Sequence, residues 1–375
     1  MRRALFLMVL SAAAVKAFAQ ATLGASVETL YDDNVYNNYQ RIASPATALT
    51  LHGGYVWDGE ASSVALSYAG AVNYFSAVTE KTFSTHQASL LYGVPLDEDE
   101  RTSFNAGAAY MVRVNRELFT IYDHGQLSLH STLEHRFSEE FSGRAGYTFR
   151  SVRFAQLPDF DYLEHYAFAQ VTSLLPTNST LILEADLGSK GYITPNASVT
   201  GQTTRRGKRQ NDEASDGPVV TQVIGMARIG HPVVEGTGLS LAFQYQANIQ
   251  KESRYFLSSE GVYSDDEFLD DHYGYEGPSG MVMLTQLIPG DTRLKLSFSL
   301  QGRTYANRGA YDLSGVQTAS SRQDTRRVFS LLVSKSFEAW GCSLGLSYDY
   351  IVNASNDSYY TFTNNALSLM VSIGY

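Results

Sequence analysis

Over residues 240–250, Leu241, Phe243, Tyr245, Ala247 and Ile249 alternate with Ser240, Ala242, Gln244, Gln246, Asn248 and Gln250. Successive side chains of a β-strand point to opposite faces, so this segment has one apolar side and one polar side. The same period of two returns at Leu294, Leu296, Phe298 and Leu300, at Phe104, Ala106, Ala108, Tyr110, Val112 and Val114, and at Leu344, Leu346, Tyr348 and Tyr350. It predicts sixteen strands, at 21–31, 46–57, 62–74, 84–95, 102–114, 125–137, 141–154, 162–175, 180–192, 219–230, 239–250, 275–288, 292–304, 325–337, 342–352 and 363–375. Alternation is weakest at 162–175, 219–230 and 325–337, so totals of fourteen and eighteen stay open. No segment of useful length follows a helical period.

The connections carry a second signal. Short ones hold turn chemistry, as in Asp58-Gly59, Asp97-Glu98-Asp99, Ser138-Glu139, Pro176-Thr177-Asn178 and Pro289-Gly290-Asp291. Long ones are expected near 32–45, 115–124, 193–218, 251–274, 305–324 and 353–362. Short and long connections alternate, as they do in transmembrane barrels; a soluble β-sandwich, the rival all-β architecture, has no reason to sort loop length by parity.

Half of each strand is apolar, yet no second apolar layer is available to cover it. Lipid can take that role. Hydrocarbon offers no hydrogen-bond partners, so the sheet must close on itself, with the polar faces turned inward. The predicted fold class is therefore all-β: a transmembrane antiparallel up-and-down β-barrel of about sixteen strands, with short periplasmic turns and long outer loops. Such a barrel encloses more space than side chains fill, which leaves an aqueous channel unless a loop plugs it.

Composition agrees. Tyr is abundant at 25 residues against 9 Pro and 1 Cys. Tyr31, Tyr55, Trp57, Tyr74, Tyr92, Tyr305, Trp340 and Tyr350 stand at strand ends, where amphipathic rings suit membrane–water interfaces. Arg2 and Arg3, the apolar stretch 4–15 and Ala17-Phe18-Ala19 read as a signal peptide over 1–19, leaving a single outer-membrane barrel domain over 20–375. Without Arg2, Arg3 and Lys16 the basic count is 25 against 38 acidic residues, a formal charge of −13, which gives no reason to bind nucleic acid. A single cysteine excludes an internal disulfide framework and any multi-cysteine metal site.

Two short stretches bear a resemblance. The chain closes on Leu367, Leu369, Val371, Ile373 and Tyr375, which resembles the C-terminal signal of outer-membrane barrels and implies insertion by the barrel-assembly machinery. Tyr31-Asp32-Asp33-Asn34-Val35 resembles a stretch of poorly characterised outer-membrane β-barrel proteins of the porin type. That resemblance covers five residues. It implies a porin-like barrel, in some members one that accompanies exopolysaccharide export, and it implies no catalytic residues.

Parity points Arg113, Arg136, Arg144, Arg150, Arg293, Lys295 and Arg303 inward, together with Glu28, Glu134, Glu184, Asp186 and Asp349. Opposed rings of such charges would bias which solutes pass; mutual pairing in a solvated lumen is the plainer alternative. The basic run Arg205, Arg206, Lys208 and Arg209 could meet lipopolysaccharide, fold over the pore or stay solvated. Glu260, Asp265, Asp266, Glu267, Asp270 and Asp271 lack EF-hand spacing and read as a solvated acidic loop. Ser128 and His130 share one face, Ser131 and His135 the other, without an elbow or HExxH motif; no catalytic residue, cofactor or metal is expected.

These features together predict a porin-like channel for passive diffusion of small hydrophilic solutes. Its expected partners are outer-membrane lipid and lipopolysaccharide, with homotrimer formation as a further possibility. The alternative is a barrel for exopolysaccharide export or surface attachment, closed to free diffusion. A third is a structural barrel with a blocked lumen. A TonB-dependent transporter would need more strands and a plug domain. An inward-folded loop and a charged constriction would favour the porin; a wide empty lumen with a docking surface would favour export.

Overall fold

The computed structural model describes residues 21–194, 217–253 and 272–374. The expected signal peptide, the basic run at 205–209, the acidic residues at 260–271 and Tyr375 lie outside them. Sixteen strands close into one barrel. In chain order they are β1 (Ala21–Asp32), β2 (Ser44–Asp58), β3 (Ser63–Phe75), β4 (Phe83–Pro95), β5 (Thr102–Asn115), β6 (His124–Arg136), β7 (Phe141–Phe154), β8 (Tyr162–Leu174), β9 (Thr180–Tyr192), β10 (Val219–Val234), β11 (Thr237–Lys251), β12 (Gly277–Ile288), β13 (Thr292–Tyr311), β14 (Gln317–Phe337), β15 (Cys342–Ser355) and β16 (Phe362–Gly374). Each pairs antiparallel with its sequence neighbours, and β1 meets β16 from Gly24↔Gly374 to Asp32↔Ala366.

Burial is inverted relative to a soluble protein. Leu49, Leu66, Leu90, Leu241, Phe298 and Leu369 lie exposed, while Gln222, Gln246, Asn248, Glu164 and Asp186 are buried. Parity holds around the ring. Leu49 pairs with Val72, Leu66 with Leu90, Leu241 with Val282 and Phe298 with Phe329. The outward faces thus form one apolar band, which is the surface that hydrocarbon solvates. Tyr31, Tyr74 and Tyr350 lie exposed toward the loop end of that band, and Trp57 and Tyr92 toward the turn end. Tyr305 departs from the expected girdle. It shares parity with Arg303, faces inward and is buried.

The short connections all sit at one end, where β1 begins and β16 ends. The two-residue turn Glu235-Gly236 needs a positive φ at its second position (φ 76°), and Gly290 serves the β12–β13 turn in the same way (φ 82°). At the other end the expected loop over 305–324 is largely strand. β13 and β14 continue as a hairpin past a register shift at Thr304/Gly309. The tip is a tight turn in which Asp312 Oδ1 accepts from Ser314 N and Val316 N, both at 2.9 Å. The hairpin is held by aromatic and ionic contacts. Arg322 stacks over Tyr360 (3.4 Å to the ring centroid) and Tyr305 (4.3 Å), and its Nε donates to Asp324 Oδ1 at 3.0 Å.

The Tyr31–Val35 stretch locks the seam where the first strand meets the last. Asp33 Oδ1 accepts from Asn365 N, and its Oδ2 accepts from Asn365 Nδ2, both at 2.7 Å. Arg41 pairs with the same carboxylate at 2.9 Å. Asn34 is fully buried and donates to Asn38 O (2.7 Å) and Thr363 O (3.1 Å). Burial pushes the Asp33 carboxyl upward, but the donors from Asn365 and Arg41 outweigh it and hold it below the ordinary carboxylate value. A depressed value stabilises the fold above the unfolded-state value and is lost as pH falls through the folded one. Asp33→Ala is therefore expected to lower the unfolding temperature in detergent micelles, with a cost of about 1–3 kcal/mol at neutral pH. The gap from wild type should shrink below the ordinary carboxylate range. A pH-independent gap would mean that this charge does not hold the seam.

Candidate channel lumen

The walls present their polar parity to the interior, and the loop end folds down into it. Val35, Tyr36, Val78, Phe119 and Tyr122, from three successive loops, form one small apolar core in the mouth. Lys81 is buried beside it, its Nζ donating to Val35 O and lying 5.0 Å from the Tyr36 ring centroid. Val152, Phe154, Phe160, Tyr162 and Tyr192 form a second core. Loops that fold onto apolar residues of their own need no lipid contact to stay in place.

A deeper insertion comes from the segment before β12. A short 3-10 turn at His272–Gly274 lies against β10 and β11. Three wall amides hold its backbone: Gln222 Nε2 donates to His272 O (3.0 Å), Gln246 Nε2 to Tyr275 O (2.9 Å) and Asn248 Nδ2 to Tyr273 O (2.8 Å). Tyr273 then spans to β8, where its hydroxyl donates to Glu164 Oε1 at 3.0 Å. Glu164 also pairs with Arg150 Nη1 at 3.1 Å. Gly188 clears the way for the phenol, since a Cβ there would lie 2.4 Å from Tyr273 Oη.

Below this bridge the lumen wall bears a cavity of about 790 Å³. Arg150, Glu164, Tyr166, Glu184, Asp186 and Arg228 supply its polar face, and Met226 and Met281 add apolar surface. Gln170 donates to Glu184, and Arg228 Nε donates to Ser240 Oγ at 3.1 Å. Asp186 is 7% exposed, and its Oδ1 has no partner among the described residues.

Ten of the twelve inward charges singled out in the sequence fall into three groups. Arg150, Glu184 and Asp186 meet at the cavity. Arg113, Arg303 and Asp349 are engaged by the wall. Arg113 stacks over Phe83 (3.8 Å) and donates to Asn115 Oδ1 (3.1 Å); Arg303 stacks over Tyr275 (4.6 Å) and donates to Gln301 Oε1 (2.9 Å); Asp349 accepts from Ser330 Oγ. Arg136, Arg144, Arg293 and Lys295 make no ion pair among the described residues, although Arg144 lies over the Phe168 ring at 5.2 Å. β5 and β13 stand eight strands apart in a ring of sixteen, so Arg113 and Arg303, both toward the loop end, lie on opposite walls, while Arg293 and Lys295 sit at the turn end of β13. Arg150 does not oppose the acids from another wall; it pairs with one on the next strand.

Sequence reasoning passed over Glu164, Arg228 and Tyr273. Glu164 and Arg228 lie on β8 and β10, two of the strands with weak alternation. Their inward faces mix Tyr166, Phe168, Ile224 and Met226 with the charges, which blurs the period. Neither flagged serine–histidine pair is joined by a hydrogen bond among the described residues. Ser128 Oγ accepts from Gln126 at 3.2 Å, and His135 Nδ1 contacts Thr102 Oγ1 at 2.8 Å. The Thr102 proton goes to Asp97 Oδ2 at 2.6 Å, so His135 donates to Thr102 and does not activate it.

No family model matches the chain, and no curated protein matches its sequence. Solved structures do match. OccAB1 of Acinetobacter baumannii has a TM-score of 0.52 at 10% identity, over 95% of this chain and 96% of that one. OpdL of Pseudomonas aeruginosa has a TM-score of 0.49 at 11% identity, over 95% and 98%. The outer membrane protein OpdK of Pseudomonas aeruginosa has 0.47 at 10%, over 95% and 99%. The OccAB1 match is one of fold alone, over nearly the full length of both chains.

Proposed function

We propose that the barrel is an outer-membrane channel through which small hydrophilic solutes diffuse passively. One observation carries the reading. The inward segment His272–Gly274 is tied to β8, β10 and β11 directly above a charged cavity of about 790 Å³, so polar and charged groups converge on one side of the lumen at that level. Water-filled passages select by diameter, by the donors and acceptors that line them and by their charge. Here the donors are Arg228 and the wall glutamines, and Glu184 is an acceptor. An inward segment set above charged wall groups favours diffusion over the alternative of polysaccharide export, which a wide unobstructed bore would suit. On the same reading residues 1–19 direct export and are removed, and residues 20–375 insert as a single domain with the help of the assembly machinery. Lipopolysaccharide contact and trimer formation belong to the same proposal. No reaction is assigned to the barrel.

Single-channel recording of the refolded chain 20–375 in planar bilayers tests the reading. Stable, roughly ohmic steps are expected. A folded barrel that passes no current would instead favour the exporting or blocked forms.

A further inference from the structure

Among the described residues, the lipid-facing wall carries few basic side chains, and all of them but Arg327 have partners. Outward His86 and His165 contact Tyr68 (2.7 Å) and Tyr147 (2.6 Å), and His135 and His231 contact Thr102 and Ser179, both at 2.8 Å. Arg153 pairs with Asp161 at 3.2 Å, and Lys335 lies 5.3 Å from the Phe337 ring centroid. Arg327 of β14 faces outward beside Phe329 and is exposed; it has no hydrogen bond or ion pair among the described residues. An unpaired guanidinium against hydrocarbon is costly at mid-membrane and much less so at the interface.

Its height is set by the register. Arg327 opposes Leu300, and eight residues separate it from Lys335 at the turn end of the same strand. At about 3.3 Å per residue and a tilt near 40°, that is roughly 20 Å up an apolar band about 25 Å tall. Arg327 thus stands where the headgroups of the loop-side leaflet begin. Next to it the outer wall is dented by an apolar groove of about 550 Å³ lined by Phe243, Pro278, Gly280, Phe298, Leu300 and Gly302. Leu300, directly across from Arg327, forms part of its edge.

We propose that this face holds one phosphate-bearing lipid of the loop-side leaflet, its phosphate on Arg327 and an acyl chain in the groove. The guanidinium is planar, permanently charged and suited to phosphate oxygens, and the groove opens beside it and continues toward mid-membrane along Phe298 and Val282, where the chain of such a lipid must run. Charge complementarity therefore selects a phosphorylated lipid over a neutral one or a second barrel.

Native mass spectrometry of the purified barrel in detergent, with added bisphosphorylated lipid A, tests the proposal. One lipid is expected to stay bound under conditions that strip dephosphorylated lipid A and phosphatidylcholine. Arg327→Gln is expected to weaken retention about tenfold. Gly280→Leu should do the same by filling the groove; a Cβ at Gly280 meets only Ala242 O at 3.8 Å, so the wall tolerates the change. Unaltered heat-modifiable mobility of both variants confirms folding. Equal retention of phosphorylated and dephosphorylated lipid, or variants that bind like wild type, would overturn the site and reduce the groove to ordinary lipid contact. Displacement by inorganic phosphate, with no effect of Gly280→Leu, would also overturn it.

Discussion

Freeing the inserted turn is expected to raise single-channel conductance on the order of twofold and to add open-channel noise. The variant is Gln222→Ala, Gln246→Ala and Asn248→Ala together. These three amides hold the carbonyls of His272, Tyr273 and Tyr275 against β10 and β11. Each neutral hydrogen bond is worth about 1 kcal/mol net. Losing three shifts the pinned-to-free ratio by roughly two orders of magnitude. A further tie, from the Tyr273 hydroxyl to Glu164, can be loosened separately by Gly188→Ala, whose Cβ would intrude on the phenol oxygen. Bilayer recording reads both. Conductance identical to wild type in the triple variant would mean that the solute path runs elsewhere and that the turn is only packing.

Reversing the basic pair on β13 should change ion preference more than any other pair of wall substitutions. Arg293 and Lys295 lie two apart on one face, inward, and neither has a hydrogen bond or ion pair among the described residues. Arg293→Glu with Lys295→Glu moves the local charge by four units without breaking a contact. The reversal potential under a salt gradient is expected to move toward cations. The shift should be large near 0.1 M salt, where screening acts over about 10 Å, and small near 1 M, where it acts over about 3 Å. Arg150 would be a poor choice for the same test, because its loss strands the buried Glu164 carboxylate. An unmoved potential at low salt would show that β13 does not set the field along the path.

Much of the barrel was legible because strand parity is a local rule. A residue such as Arg293 or Asp349 points inward whatever the rest of the chain does, so alternation alone gives its side. Alternation also found all sixteen strands, β8, β10 and β14 included, despite inward Phe168, Met226 and Leu332 that dull the pattern. The partners of those residues were not legible. The Arg150–Glu164 pair depends on the β7–β8 register, and Tyr273 reaches Glu164 across 109 residues of sequence. Loops gave the least. Residues 305–324 are polar and rich in turn formers, yet tertiary contacts of Arg308 and Arg322 with Tyr305 and Tyr360 draw most of them into strand. The Tyr31–Val35 stretch, which resembles porin-type sequences, clasps the seam between β1 and β16.

That seam also dictates an order of assembly. Asn34 and Asn365 lie more than 300 positions apart in sequence, yet they belong to one hydrogen-bonded patch. Hairpins such as β2–β3 can form as soon as their own residues are available, whereas the ring cannot close before the last strand arrives. Until then β1 and β16 each present a row of unpaired amides, which invites pairing with other chains in water and is costly in lipid. Chain closure is thus a late, all-or-none event. A nascent barrel lacking β16 should persist as an open sheet that needs escort, and the Asp33–Asn365 clasp acts as its final latch.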